Sequence, residues 1–253
     1  MLNWGLEGRI ALVTGASKGI GRGCALELAK AGCSVALGLH AIDRNGGVVE
    51  EIRAQGVEAL PLQMDVRSKP EIDLAVQKTI ERFGRIDILV NNAGGGRIGL
   101  AADVTEEDFD FIVDANLKGT FFVSQAVGCQ MIRQKGGQIV NIGSQAGATA
   151  LPTESVYCAA KAAVAHLTKC LAVEWGAYGV RVNCVAPTFI RTPGTEAALS
   201  DPEFYRYVTE QKIVLSRVGE VVDVTSAVMF LCSDASSLIT GATLMVDGGW
   251  TLH

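Results

Sequence analysis

A chain of 253 residues with 49% hydrophobic and 19% charged side chains has enough apolar material for one large α/β core. Its net charge of −5, with no basic stripe, argues against nucleic acid as the main partner. No uninterrupted apolar run approaches the roughly eighteen residues of a membrane helix, and no basic stretch followed by an apolar one opens the chain, so a cytoplasmic location with no membrane partner is expected.

In chain order, Arg9 to Thr14 reads as a buried strand and Ile20 to Ala31 as a helix, with Ile20, Cys24, Leu28 and Ala31 on one stripe. A strand near Ser34 to Leu39, a helix near Gly46 to Gln55, a strand near Glu58 to Gln63 and a helix near Pro70 to Phe83 follow. Ile86 to Val90 is the next strand, Thr105 to about Arg133 is helical with a break near Asn116, and Gly137 to Ile142 is a fifth strand. Tyr157 to Gly176 reads as a long helix, Arg181 to Val185 and Thr243 to Val246 as strands, and Glu220 to Cys232 as a helix between them. Pro187 to Ile213 is an irregular, partly helical insertion expected to cover the substrate.

About seven strands separated by helices imply a doubly wound parallel sheet of Rossmann type, covered on both faces. With no linker, charge block or repeat, residues 1–253 read as a single domain. Ligands of such sheets bind beyond the carboxyl ends of the strands, so the residues just after each strand carry the functional reading. Seven cysteines without a Cys-x-x-Cys, and three histidines without ligand spacing, suit neither a disulfide framework nor a metal site.

Thr14-Gly15-Ala16-Ser17-Lys18-Gly19-Ile20-Gly21 joins the first strand to the first helix. Glycines there permit positive φ and let backbone N–H groups approach an anion, for which pyrophosphate is the natural guest. No Gly-Lys-Ser/Thr closes the loop as in a nucleotide-hydrolysing P-loop. With Tyr157-Cys158-Ala159-Ala160-Lys161, whose spacing puts phenol and ammonium on one helical face, the loop resembles the signature of the short-chain dehydrogenases/reductases.

That resemblance spans nearly the whole chain and implies a nicotinamide dinucleotide as cofactor. By it, Gly15, Ser17, Lys18, Gly19, Ile20 and Gly21 hold the pyrophosphate side. Asp65 and Val66 meet the adenine, and Asn92, Ala93 and Gly94, in Asn91-Asn92-Ala93-Gly94, line the adenosine pocket. Pro187, the Ile190 backbone and Thr192 meet the nicotinamide, although Pro187-Thr188 stands where the family commonly reads Pro-Gly. Asn116, Ser144, Tyr157 and Lys161 form the implied catalytic tetrad, and the final strand, followed by Asp247-Gly248-Gly249-Trp250, implies a homotetramer.

An NAD-specific fold usually ends its second strand on an acid that accepts from the adenosine ribose. Leu39 occupies that place, while Ser17, Lys18, His40 and Arg44 offer donors and positive charge to a 2′-phosphate, which favours NADP(H) over NAD(H). Asp43 keeps NAD(H) open should the strand end later.

For catalysis, Tyr157 is expected to exchange a proton with the substrate oxygen while Ser144 hydrogen-bonds that oxygen. Lys161 is expected to lower the tyrosine pKa and to hold the nicotinamide ribose. Such a lowering requires a shielded cleft, since a charge about 4 Å away is worth only about 1 kcal/mol in bulk water. Arg97, Gln145, Thr149, Glu154 and Arg191 on the substrate edge suggest a small polar substrate, a sugar, sugar acid or polyol. A 3-oxoacyl thioester reductase and a non-catalytic dinucleotide-binding regulator are the alternatives.

Overall fold

The computed structural model describes residues 4–252. Ile10–Thr14 (β1), Gly19–Lys30 (α1), Ser34–Leu39 (β2), Val48–Arg53 (α2), Ala59–Gln63 (β3), Lys69–Phe83 (α3) and Ile88–Asn91 (β4) make the first half. Glu106–Val113 (α4) runs through the turn Asp114–Lys118 into Gly119–Gln134 (α5), followed by Gly137–Ile142 (β5), Ser155–Trp175 (α6) and Val180–Pro187 (β6). Glu196–Leu199 (α7) and Pro202–Arg206 (α8) lie beyond β6, and Val221–Cys232 (α9) precedes Thr243–Val246 (β7).

The seven strands form one sheet in the order β3-β2-β1-β4-β5-β6-β7, with every pair parallel. The winding reverses between β1 and β4, and the crevice at that reversal is where ligands of open α/β sheets bind. Strand periodicity sorts the core: Ala11 and Val13 of β1 pack with α1, α2 and α9, whereas Leu12 joins the cluster with α3, α5 and α6. Glu220 caps α9 through a reciprocal box with Asp223, which ends the preceding loop sharply.

Several boundaries differ from the sequence reading, among them β6, which runs on to Pro187. β4 starts at Ile88 because the Gln134 side chain already satisfies the backbone of Ile86, accepting from its N–H at 3.4 Å and donating to its carbonyl at 2.6 Å. α6 begins at Ser155, so Tyr157 lies inside its first turn. The helix through Asn116 is widened into a π-type turn rather than broken. The Asn116 amide donates to the Ile112 carbonyl at 2.8 Å, taking an acceptor the helix would otherwise use.

α6 is long and apolar enough to span a membrane by length and composition. It lies instead along the sheet, burying Ala160, Lys161, Val164, Thr168, Leu171 and Ala172. Under it, Asn91 donates to Ser124 (2.8 Å) and Asn141 (2.9 Å), and Asn141 donates to Thr168 (2.9 Å), locking β4, β5, α5 and α6 into one frame. The segment after β6 builds its own cluster from Leu199, Val208, Ile213 and Val218 around Trp250, with Phe189 5.3 Å from Phe204 and 5.5 Å from Trp250 between ring centroids.

Candidate active site

Gly15 and Gly19 hold φ of 64° and 57°, and Lys18 leads into α1 in an extended conformation without a side-chain cap. The first N–H groups of α1 therefore lack the usual side-chain acceptor, the condition that makes a helix start attract an anion. The loop is held from β4. Thr14 Oγ1 accepts from the N–H groups of Asn92 and Ala93, both at 3.0 Å, and Asn92 Nδ2 donates to the carbonyls of Thr14 (3.0 Å) and Gly15 (3.2 Å). Gly21, expected at the cofactor, is not among the residues lining the cavity beside the loop and packs against this brace. A Cβ there would stand 2.3 Å from Asn92 Nδ2 and 2.4 Å from the Gly15 oxygen, so the residue is small for packing.

Beside the loop is a cavity of about 570 Å³ lined by Gly15, Ser17, Lys18, Gly19, Ile20, His40, Asp65, Val66, Asn92, Ala93, Gly94 and Thr192, with Arg67 and Phe111. Asp65 is engaged by Arg67, whose guanidinium approaches both carboxylate oxygens at 2.6 to 3.1 Å, and this holds its carboxyl below the usual range. His40 Nδ1 lies 3.6 Å from the same carboxylate. β2 ends at Leu39 as expected, and neither Asp43 nor Arg44 is among the residues lining this cavity. Arg67 was not anticipated, since only folding returns it to the carboxylate two positions before it.

A second cavity of about 420 Å³ shares Ile20, Asn92, Gly94, Thr192 and Gly194 with the first, so the two form one cleft. Asn116, Ser144, Tyr157, Lys161, Pro187 and Ile190 all line it. Ser144 lies two residues beyond β5 rather than at its end; its hydroxyl donates to Gln145 Oε1 at 2.8 Å and accepts from Ala146 N at 3.1 Å. Lys161 Nζ is 5.5 Å from the centre of the Tyr157 ring and donates to the Ile142 carbonyl at 2.9 Å. Asn116 also donates to the Gly95 carbonyl at 2.7 Å, while its buried Oδ1 has no protein partner.

The electrostatics correct one expectation. Burial pushes the Tyr157 phenol up to about 12, and the opposing influence is its hydrogen bond with Ser144 rather than the charge of Lys161. The ammonium itself is pulled down to about 8 by burial. A lysine shielded enough to act strongly on a neighbour is also shielded enough to lose part of its own charge.

Of the substrate-edge candidates, Arg97, Gln145 and Glu154 line the second cavity, whereas Thr149 and Arg191 do not. The Thr149 hydroxyl donates back to the Gln145 carbonyl at 3.3 Å, and Arg191 lies 3.8 Å from Glu196 and 3.5 Å from Glu220. Thr195 lines the cavity although the sequence singled out only its neighbours. Its hydroxyl donates to the Ile190 carbonyl at 2.5 Å and accepts from Thr192 N at 3.1 Å, shaping the loop beyond β6. The cradle of uncapped N–H groups, the glycines at positive φ, the orphaned Asn116 oxygen and the continuous cleft suit a nicotinamide dinucleotide.

A seven-stranded parallel sheet with this cleft at its reversal defines a dinucleotide-binding α/β oxidoreductase. Residues 15–251 match a family model described as enoyl-(acyl carrier protein) reductase, and the chain belongs to the short-chain dehydrogenase/reductase family. It is 44% identical to a 3-oxoacyl-[acyl-carrier-protein] reductase of Staphylococcus epidermidis, over 94% of this chain and 97% of the relative. A gluconate 5-dehydrogenase of Burkholderia cenocepacia solved with NADP and tartrate is 35% identical, with a TM-score of 0.93 over 98% of this chain and 96% of that one. A 7α-hydroxysteroid dehydrogenase solved with NADH and a 7-oxo bile acid is 34% identical, with a TM-score of 0.94 over 99% and 97%.

Proposed function

We propose that this oxidoreductase interconverts a secondary alcohol and a ketone on a small polar substrate, a sugar, sugar acid or polyol, using NADP(H). The observation carrying the reading is the half-buried Tyr157, which lines, together with Ser144 and Lys161, a cavity continuous with the glycine-loop cleft. The bound nicotinamide supplies the hydride acceptor or donor. Tyr157 gives its proton to the carbonyl oxygen during reduction and takes it back during oxidation, while Ser144 orients that oxygen. Lys161, anchored on Ile142, holds the nicotinamide ribose and passes the proton outward with Asn116. The segment 187–213, wrapped around Phe189, covers the substrate within a single catalytic domain of 1–253.

NADP(H) is favoured over NAD(H) because β2 ends at Leu39, Asp43 stands away from the cavity, the Asp65 carboxylate is paired with Arg67, and Ser17, Lys18 and His40 line the wall. The same reading includes a cytoplasmic homotetramer, in keeping with exposed Phe109, Phe121 and Val173 on α4, α5 and α6. A second reading, 3-oxoacyl thioester reduction, is favoured by the 44% identity to the staphylococcal enzyme. The test is a screen of NADP and NAD against polyols, sugar acids and 3-oxoacyl thioesters, followed by absorbance of the reduced nicotinamide. Turnover of thioesters alone decides for the second reading, and dinucleotide binding with every pair silent decides for a non-catalytic protein.

A further inference from the structure

We propose that Glu154 is a specificity-determining residue of the substrate cavity, its carboxylate selecting uncharged polyhydroxy compounds over analogues that carry a carboxylate. The inference rests on the alcohol–ketone reading above and narrows its substrate class.

Glu154 stands one residue before α6 and three before Tyr157, and both residues line the same cavity. Its carboxylate lines the cavity, is half-buried, and makes no cap to α6; among the described residues no ion pair or side-chain hydrogen bond engages it. Its charge is felt at the phenol, where it makes ionisation harder, and burial raises the carboxyl's own pKa. A carboxylate in the same cavity as the reacting group, with no side-chain hydrogen bond or ion pair among the described residues, has its lone pairs available to a substrate.

What faces it decides the sign of the selection. Arg97 and Lys161 are the only cationic side chains among the described residues lining this cavity. Arg97 is already paired with Asp108 and, at 3.4 Å, with Glu107, and its guanidinium is stacked 4.5 Å over the Phe111 ring. Lys161 is committed to the Ile142 carbonyl, and Arg191 is held between Glu196 and Glu220 outside the cavity. Glu154 is therefore the one charged side chain lining this cavity, among the described residues, with neither an ion pair nor a side-chain hydrogen bond to the protein. Two adjacent hydroxyls can donate to the two oxygens of Glu154 in charge-assisted hydrogen bonds, whereas a carboxylate brought there meets a like charge in a cavity that screens it poorly. Leu151, Ile98 and Phe189 supply the apolar wall against which the C–H face of a polyol can lie.

The test uses D-sorbitol and D-gluconate, six-carbon polyhydroxy chains that differ at one end in a carboxylate. Their affinities for the enzyme saturated with NADP+ are measured calorimetrically, and hydride transfer is followed separately by nicotinamide absorbance. Sorbitol is expected to bind the wild type at least about tenfold more tightly than gluconate. In Glu154→Gln the two should converge to within about threefold, by weaker sorbitol and tighter gluconate, with NADP+ affinity unchanged; Glu154→Asp should keep the sign of the preference. A wild-type preference for gluconate, a ratio unmoved by Glu154→Gln, or binding of neither compound overturns the assignment. Discrimination that follows Glu154 with no hydride transfer to or from either compound leaves the selector standing and removes them from the proposed reaction. Hydride transfer without discrimination removes the selector alone.

Discussion

Lys161 Nζ donates to the Ile142 carbonyl oxygen at 2.9 Å, tying α6 to the end of β5 with a charged group that is only 6% exposed. The cost of that burial is written in its pKa, about 8 against an ordinary 10.5. Between those values the unfolded chain binds more protons than the folded one, so this group's contribution to stability becomes more favourable as pH rises from about 8 to 10.5. Lys161→Met, in which the group is absent, is therefore expected to compare best with the wild type near pH 7 and worst near pH 10.5. Urea unfolding of both proteins across that range checks it, and a constant difference would refute the burial penalty. Turnover of the variant should fall by about a hundredfold or more.

Because burial and Glu154 hold the Tyr157 proton in place, the neutral phenol dominates at physiological pH. Reduction uses that form and should be fastest at neutral or lower pH, while oxidation needs the phenolate and should accelerate as pH rises. Initial rates in both directions from pH 6 to 10 are the measurement. Tyr157→Phe should retain dinucleotide affinity and lose about 10²- to 10⁴-fold in turnover in either direction. Unchanged turnover would remove the phenol from the reaction.

Asn92 holds the glycine loop to β4 through two carbonyls. Asn92→Ala leaves both without that donor, a loss of about 1–3 kcal/mol that should appear as dinucleotide binding weakened about tenfold or more, with a smaller change in turnover at saturation. Gly21→Ala should act on the same loop, since its methyl would overlap the Asn92 amide. Fluorescence titration of reduced dinucleotide measures both variants, and wild-type affinity in both would show that the brace does not shape the site.

Trp250 is 5% exposed and packs against Phe189 under the segment that follows β6. Trp250→Ala is expected to cost about 3–5 kcal/mol of stability. Because Phe189 also lines the substrate cavity, KM should rise more than the dinucleotide dissociation constant. Thermal unfolding with steady-state kinetics on any substrate found in the screen tests both effects, and equal changes in the two constants would argue against coupling through Phe189.

Most strand and helix positions were legible because apolar periodicity is local: Ala11, Leu12 and Val13 alternate between two helical layers, and the stripe on α1 recurs every turn. Two of the boundaries that moved did so through side-chain bonds to the backbone, one distant in sequence and one local. Ile86 leaves β4 because Gln134 satisfies its backbone, and the Asn116 turn widens because its amide competes for the Ile112 carbonyl. Within the site, spacing was enough to bring Tyr157 and Lys161 together, but it could not foresee that Asn92 braces the glycine loop or that Gly21 is small for packing.

Periodicity, glycine placement and the four-residue step from Tyr157 to Lys161 by themselves determined a doubly wound sheet with a dinucleotide cradle, since these features depend on backbone sterics and helical repeat alone. Tertiary structure decided the charges. Whether Arg97 is free or paired, whether Glu154 faces a cation, and which way the phenol and ammonium shift depend on burial and on neighbours brought together across the fold. Coulomb interactions and desolvation act through space, and no local pattern in the chain encodes those distances.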